Sequence, residues 1–339
     1  MILRTLLLAL GLQQPAAPAS VAAPPPAAGP RDTLHLVAVG DINLGRRLAK
    51  EHLQRGDTLY PFQEVADTLR TADLLFGNLE SPIAPETHRL ETAGVVFTAP
   101  ALAAEALRRV GFTIVSTANN HAWDGGRAAV EETMRRLTAA GVRFVGSGFG
   151  RAMAEQPVIV RRRGWRVAFF GVTRAWNPAP YSFYSHAGAD YIAWGDSTWL
   201  YPAIRALKAS GRVDLIVVSV HGGKEYVATP PAYHLSFLRG LVDAGADLVL
   251  AHHPHVLQPI EWRHGHPILE SLGNFVFVQD YPWTQLSAIV RIDVAPDHGM
   301  HISVIPTRAG YQVTFASGAA ADSVRRRLEV PRLSPKRSP

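Results

Sequence analysis

The chain of 339 residues contains no cysteine. That excludes disulfides, thiolate-held zinc and thiol nucleophiles. Lysine is almost as scarce: Lys50, Lys208, Lys224 and Lys336 are the only four, and the other basic residues are arginine. Arginines cluster at Arg161–Arg163 and Arg325–Arg327 without interleaved aromatics, so nothing resembles a nucleic-acid-binding stripe. The net charge of +6 and pI of about 9.8 fit a solvated arginine-rich surface, or attraction of an anionic substrate or polymer. No apolar stretch is long enough to span a bilayer, which takes roughly 20 residues. Internal repeats and a second-domain boundary are absent as well.

What is there suffices for a full core: 47% of the residues are hydrophobic and the mean hydropathy is +0.03. Arg4, the apolar run Leu6 to Leu12 and the small residues Ala19 to Ala23 predict a signal peptide over 1–23 and hence export to the periplasm or cell envelope. A Pro/Ala-rich linker is expected over 24–33, one domain over 34–310, and a short helix with a basic tail over 311–339.

Strand-like runs alternate with helical patterns from residue 34 to about 275, which predicts an α/β fold with covered sheets. Helices are expected at 61–71, 101–110, 126–140, 197–209 and 230–244, and a hairpin from 287–294 to 301–307. Six apolar runs end in polar residues suited to metal binding or acid–base work. LHLVAVG (34–40) leads into Asp41, ADLLFG (72–77) into Asn78 and Glu80, and FTIVSTA (112–118) into Asn119, Asn120, His121 and Asp124. VDLIVVSV (213–220) leads into His221, ADLVLA (246–251) into His252, His253 and His255, and HPILESLG (266–273) into Asn274. Ligands of open α/β sheets collect at the carboxyl ends of strands, so one shared metal site is expected.

In His253-Pro254-His255 the proline favours an extended preceding residue. In an extended segment both imidazoles point to one side, and His252 to the other. A surface histidine loop is the plainer alternative. Asp41, Glu80, Asn120, His221, His253 and His255 together offer two carboxylates, an amide and three imidazoles. That mixture suits a pair of Mn, Zn or Fe ions rather than calcium. Asp41 taken alone could be a helix cap. His121, with Asp124 close behind it, is the candidate general acid, or else a further ligand.

These residues resemble the bacterial capsule-synthesis CapA (poly-γ-glutamate biosynthesis) family, related to the calcineurin-like metallophosphoesterases. The resemblance covers about 34 to 280 and rests on GDINLGR (40–46), NLESPI (78–83), STANNHAWDGG (116–126), SVHGGKEY (219–226), HHPHVLQPIE (252–261) and SLGNFVF (271–277). It implies a single-domain, four-layer α/β/β/α sandwich. It also implies metal positions at Asp41, Glu80, Asn120, His221, His253 and His255, and an acid at His121. The Asp-x-His of metallophosphoesterases is Asp41-Ile42-Asn43 here, NLES replaces the GDxxDR motif, Gly222 follows His221 where Trp is common, and Ala251 precedes the histidines. Two functions follow as expectations. One is a dinuclear metal-dependent hydrolase of phosphoester or related bonds. The other is a non-catalytic accessory protein binding an anionic capsule polymer beside the synthesis machinery at the membrane.

Overall fold

The structure, a computed structural model, describes residues 31–85, 95–177 and 191–328. The expected signal peptide, most of the linker and the tail beyond 328 lie outside these residues. In chain order the first half contains β1 (Leu34–Ile42), α1 (Arg46–Glu51), α2 (Ala66–Arg70), β2 (Leu74–Leu79), α3 (Leu102–Val110), β3 (Ile114–Ser116), α4 (Gly126–Ala140), β4 (Arg143–Val145), α5 (Arg151–Ala154), β5 (Val158–Arg162) and β6 (Trp165–Thr173). The second half contains α6 (Ser197–Ala209), β7 (Leu215–His221), α7 (Ala232–Asp243), β8 (Leu248–His252), β9 (Leu257–Arg263), β10 (His266–Leu272), β11 (Asn274–Val276), β12 (Leu286–Val294), β13 (Met300–Arg308), β14 (Thr314–Phe315) and α8 (Gly318–Leu328).

Two sheets form. One runs β14-β13-β12-β1-β2-β3-β4, with β11 beside β1; the other runs β5-β6-β7-β8-β10-β9. Strands β1 to β4 are mutually parallel, as are β6, β7, β8 and β10. The central strands read as continuous apolar runs because both of their faces are covered. Leu36, Phe76, Phe169, Val217, Leu250 and Leu269 fill the space between the sheets. On the outer face of the first sheet, Val37, Leu75 and Val115 pack with Leu69, Leu107 and Leu137 of the helices. On the outer face of the second, Ile216, Val218 and Val249 pack with Leu200, Ile204, Leu238 and Leu241. The result is the expected four-layer α/β/β/α sandwich.

Two helices match their expected bounds, and each has a visible stop or start signal. Gly141 ends α4 in the left-handed conformation at φ 76°, and Asp196 caps α6 by accepting a hydrogen bond from the Thr198 N–H at 2.8 Å. The helix expected at 61–71 is instead broken. Pro61 opens a 3₁₀ turn over Tyr60–Phe62, and only Ala66–Arg70 is α-helical. The hairpin β12–β13 forms, and β12 continues the first sheet antiparallel to β1. Residues past 310 pack into the same body, with Val313, Val324 and Leu328 buried in its cores.

The chain packs tightly at Gly40. A Cβ there would collide with the carbonyl oxygen of Gly273, which accepts a hydrogen bond from the Asp41 N–H at 2.9 Å. The glycine therefore serves a close backbone approach. Asp41 sits opposite both Asn78 and Asn274 in the strand register, while His221 sits opposite His252 in the second sheet. The carboxyl ends of both sheets thus meet at one place.

Candidate metal centre

Asp41, Glu80, His221, His253 and His255 converge at this meeting point, and all are buried. Among the described residues, three overlapping groups have ligand atoms within 4.8 Å of one another: Glu80, His221 and His253; Asp41, Glu80 and His255; Glu225, His253 and His255. Glu80 belongs to the first two groups, so one carboxylate borders two adjacent ligand sets. Glu225, at the exposed rim, is the member that sequence reasoning missed, although it lies within the quoted SVHGGKEY run.

Amides orient these groups. Asn78 Nδ2 donates to Asp41 Oδ1 at 2.8 Å and lies 3.1 Å from His221 Nδ1. Asn119 Nδ2 donates to the Leu79 carbonyl at 2.8 Å and, more weakly, to Asn78 Oδ1 at 3.3 Å. His255 Nδ1 lies 2.9 Å from Asn274 Oδ1, which leaves Nε2 facing Glu80 Oε1 at 3.7 Å. Such a bond fixes the tautomer and presents the other nitrogen's lone pair to a cation. Asn120 Oδ1 lies 2.7 Å from His221 Nε2, itself 3.6 Å from Glu80 Oε1. Asn120 is therefore beside the cluster, with its amide oxygen engaged by His221.

Two expectations about the histidine turn are corrected. His253 has φ 98° and His255 φ 57°, so the segment is a left-handed turn and not extended. The imidazoles converge because the chain curls around the site. His252 does not face away either: its Nδ1 is 3.4 Å from Asp41 Oδ1, in a fully buried position. Among the described residues, seven non-glycine positions have positive φ. Arg163, His264 and His298 occupy hairpin turns, Arg46 opens α1 just after β1, and Tyr226, His253 and His255 belong to loops at the carboxyl-end crevice. Strain of this kind costs of order 1–3 kcal/mol per residue and collects at functional sites.

The electrostatics ask for positive charge. Among the described residues neither Asp41 nor Glu80 pairs with Lys or Arg. Both Glu80 oxygens are buried without a hydrogen-bond partner, as is His253 Nδ1. Burial pushes the Glu80 carboxyl well above its usual range, and the negative charges of Asp41, Glu225 and Asp124 add to this. Asp41 is held well below its range: burial opposes this most, but the imidazoles of His252 and His255 outweigh it. Burial, reinforced by neighbouring imidazoles, lowers His221 strongly and His253 to about 3, so both imidazoles are neutral. Orphaned carboxylate oxygens among neutral imidazoles are a donor set that fits divalent cations. Asn43, where metallophosphoesterases carry His, turns away from this set: its Oδ1 accepts from the Gly45 N–H at 2.9 Å.

His121 stands at the flank. Its Nδ1 is 2.7 Å from Asp124 Oδ2, which also accepts from the Phe97 N–H at 2.7 Å. The Phe97 ring lies against the imidazole, centroids 3.9 Å apart. Asn177 links this pair to the cluster, lying 3.5 Å from His121 Nδ1 and accepting from Asn120 Nδ2 at 2.8 Å. The dyad is thus next to the ligand groups without being one of them.

The family described as "Bacterial capsule synthesis protein PGA_cap" matches residues 35–279. A capsule biosynthesis protein CapA of Bacillus anthracis is 31% identical over 279 residues, 81% of this chain and 67% of that one. The PGA biosynthesis protein CapA of Bacillus subtilis is 30% identical over 278 residues, 81% of this chain and 71% of that one. A probable polyglutamine synthesis accessory protein of Mycobacterium tuberculosis is 27% identical over 256 residues, 70% of this chain and 65% of that one. Among solved structures, a phosphatase from Mycoplasma pneumoniae aligns with a TM-score of 0.49 at 12% identity, over 82% of this chain and 94% of its own. With its matching profile spanning the six strand-end motifs, the chain belongs to the bacterial capsule synthesis protein family typified by CapA.

Proposed function

We propose that this capsule-family protein is a metal-dependent hydrolase of a phosphoester or related bond. It acts on, or at the attachment of, an anionic polymer of the poly-γ-glutamate type, outside the cytoplasm and beside the synthesis machinery at the membrane. The observation that carries the reading is the pair of ligand groups sharing Glu80, with the His121–Asp124 dyad at their flank. Asp41, Glu80, His221, His253 and His255, with Asn120 adjoining, would hold two divalent ions, Mn, Zn or Fe. Bound there, these would supply Lewis acidity at a phosphoryl oxygen and lower the pKa of a water towards roughly 7.

The protein's own residues do the rest. Asn78 and Asn274 hold a carboxylate and an imidazole in place. Asp124 anchors His121 through Nδ1, so Nε2 is the nitrogen that hands a proton to the leaving oxygen. Phe97 fixes the ring plane and keeps water from that face.

The accessory-protein reading is supported by the Mycobacterium tuberculosis relative's name. A phosphoester panel run with and without chelator separates the two: chelator-sensitive turnover supports the hydrolase, and bound metal without turnover supports the accessory role. Export is supported by the apolar start followed by small residues. N-terminal sequencing of protein from the native envelope checks it. A mature start between Ser20 and Pro30 is expected, and an intact Met1 in the cytoplasmic fraction contradicts it.

A further inference from the structure

A row of aromatic rings climbs from the candidate centre to the surface. Tyr226 lies over His255, centroids 6.0 Å apart at 27°. Tyr281 meets Tyr226 edge-on at 5.0 Å, and Trp283 stacks on Tyr281 at 5.0 Å and 21°. The three are 36%, 45% and 45% exposed. Contiguous exposed rings beside a site mark a binding surface, because apolar area left in water is unfavourable unless something covers it.

The row is built and not incidental. Tyr226 holds a left-handed φ of 62°, and its N–H donates to the Pro254 carbonyl at 2.9 Å, which ties it to the histidine turn. Its hydroxyl accepts from Gln279 Nε2 at 2.9 Å. Gln279 Oε1 in turn accepts from Asn274 Nδ2 at 3.0 Å, and Asn274 is the residue that orients His255. The first ring of the row and a residue of the metal centre therefore share one support.

Charge selects the occupant. With Glu225 counted in a ligand group, the two loops that carry the row, 222–230 and 277–285, are left with one acid, Asp280, and one base, Lys224. A polyglutamate segment, or the phosphates of a nucleotide, would find no net positive charge on these loops. A neutral sugar ring needs none. Its C–H face stacks on phenol and indole rings, and its hydroxyls find acceptors in Asp280 and Gln279.

We propose that Tyr226, Tyr281 and Trp283 form a subsite for a neutral saccharide portion of the substrate, which presents the scissile bond to the centre at His255. The proposal rests on the hydrolase reading, but its test does not. Tryptophan fluorescence of the wild-type protein is titrated with chitohexaose, maltohexaose and a poly-γ-glutamate oligomer, alongside Tyr281→Ala, which keeps Trp283. A saturable change with a neutral oligosaccharide is expected, weakened about 3- to 10-fold in Tyr281→Ala. In turnover, Trp283→Ala should lower the ratio of kcat/KM for a sugar phosphate over glycerol phosphate about 3- to 10-fold, through KM. A response to neither oligosaccharide, identical curves for Tyr281→Ala and wild type, or a response to poly-γ-glutamate alone overturns the subsite. Absence of turnover on every ester would instead count against the hydrolase, with the fluorescence titration still deciding the subsite.

Discussion

Glu80→Gln should stabilise the metal-free protein and destroy its response to metal. The substitution keeps the shape and removes the charge. Both Glu80 oxygens are buried without a partner. Leaving such a group unsatisfied costs about 1–3 kcal/mol, and more when it is charged. Gln is itself imperfectly satisfied there, so the net gain should be about 1–2 kcal/mol. At about 2–4 °C per kcal/mol for a large domain, Tm in chelator should rise by roughly 2–8 °C. The sign with pH agrees. Burial raises the folded Glu80 carboxyl well above the ordinary 4.5, so the folded state keeps a proton that the unfolded chain releases. Metal-free wild type therefore loses stability as pH rises above about 4.5, and Glu80→Gln should not. Metal reverses the order. A ligand at 100 times its Kd adds about 2.7 kcal/mol, and the variant should lose most of that gain with the shared carboxylate. Thermal unfolding by circular dichroism, in chelator and in Mn²⁺ or Zn²⁺, reads all four values. A destabilised metal-free variant, or one that gains as much from metal as wild type, would refute the reasoning.

Away from the centre, burial and then the charge of Glu261 push Glu270 from 4.5 to about 7. Wild type should lose stability between those pH values relative to Glu270→Gln, by about 1–2 kcal/mol at pH 8 after allowance for solvent screening; urea unfolding at pH 4 and pH 8 checks this. His121→Ala should keep its metal and lose about 10²–10⁴-fold in turnover, with a smaller loss for nitrophenolate leaving groups that need no proton. Asp124→Asn should fall between wild type and His121→Ala, because it disorients the imidazole without removing it. Metal loss in His121→Ala, or equal losses for good and poor leaving groups, would make His121 a ligand.

Much of this was legible because strand ends are legible. An apolar run stops where a polar residue begins, so Asp41, Glu80, His221 and the His253–His255 turn could be placed at one crevice from pattern alone. The helices at 126–140 and 197–209 formed where periodicity placed them, whereas Pro61 broke the helix expected at 61–71 by imposing a 3₁₀ turn. Side-chain direction in the histidine turn was not legible. A local rule for residues before proline predicts extension, but tertiary packing imposes φ 98° at His253 and turns His252 towards Asp41. Glu225 was hidden for a similar reason: it lies in a loop, where no periodicity says which way a carboxylate points. The supporting amides Asn78 and Asn274 stood in the quoted motifs, and only the strand register showed that they flank Asp41 on both sides.

The central claim is that these strand ends hold catalytic metal. The direct test measures metal content and phosphoester turnover on the same samples: wild type, wild type after chelation, and the His253→Ala/His255→Ala double variant. Wild type should carry one to two equivalents of Mn, Zn or Fe and turn over an ester, with both lost together on chelation and in the double variant. Unchanged metal content in the double variant, or fully loaded wild type without turnover on any ester of the panel, would contradict it.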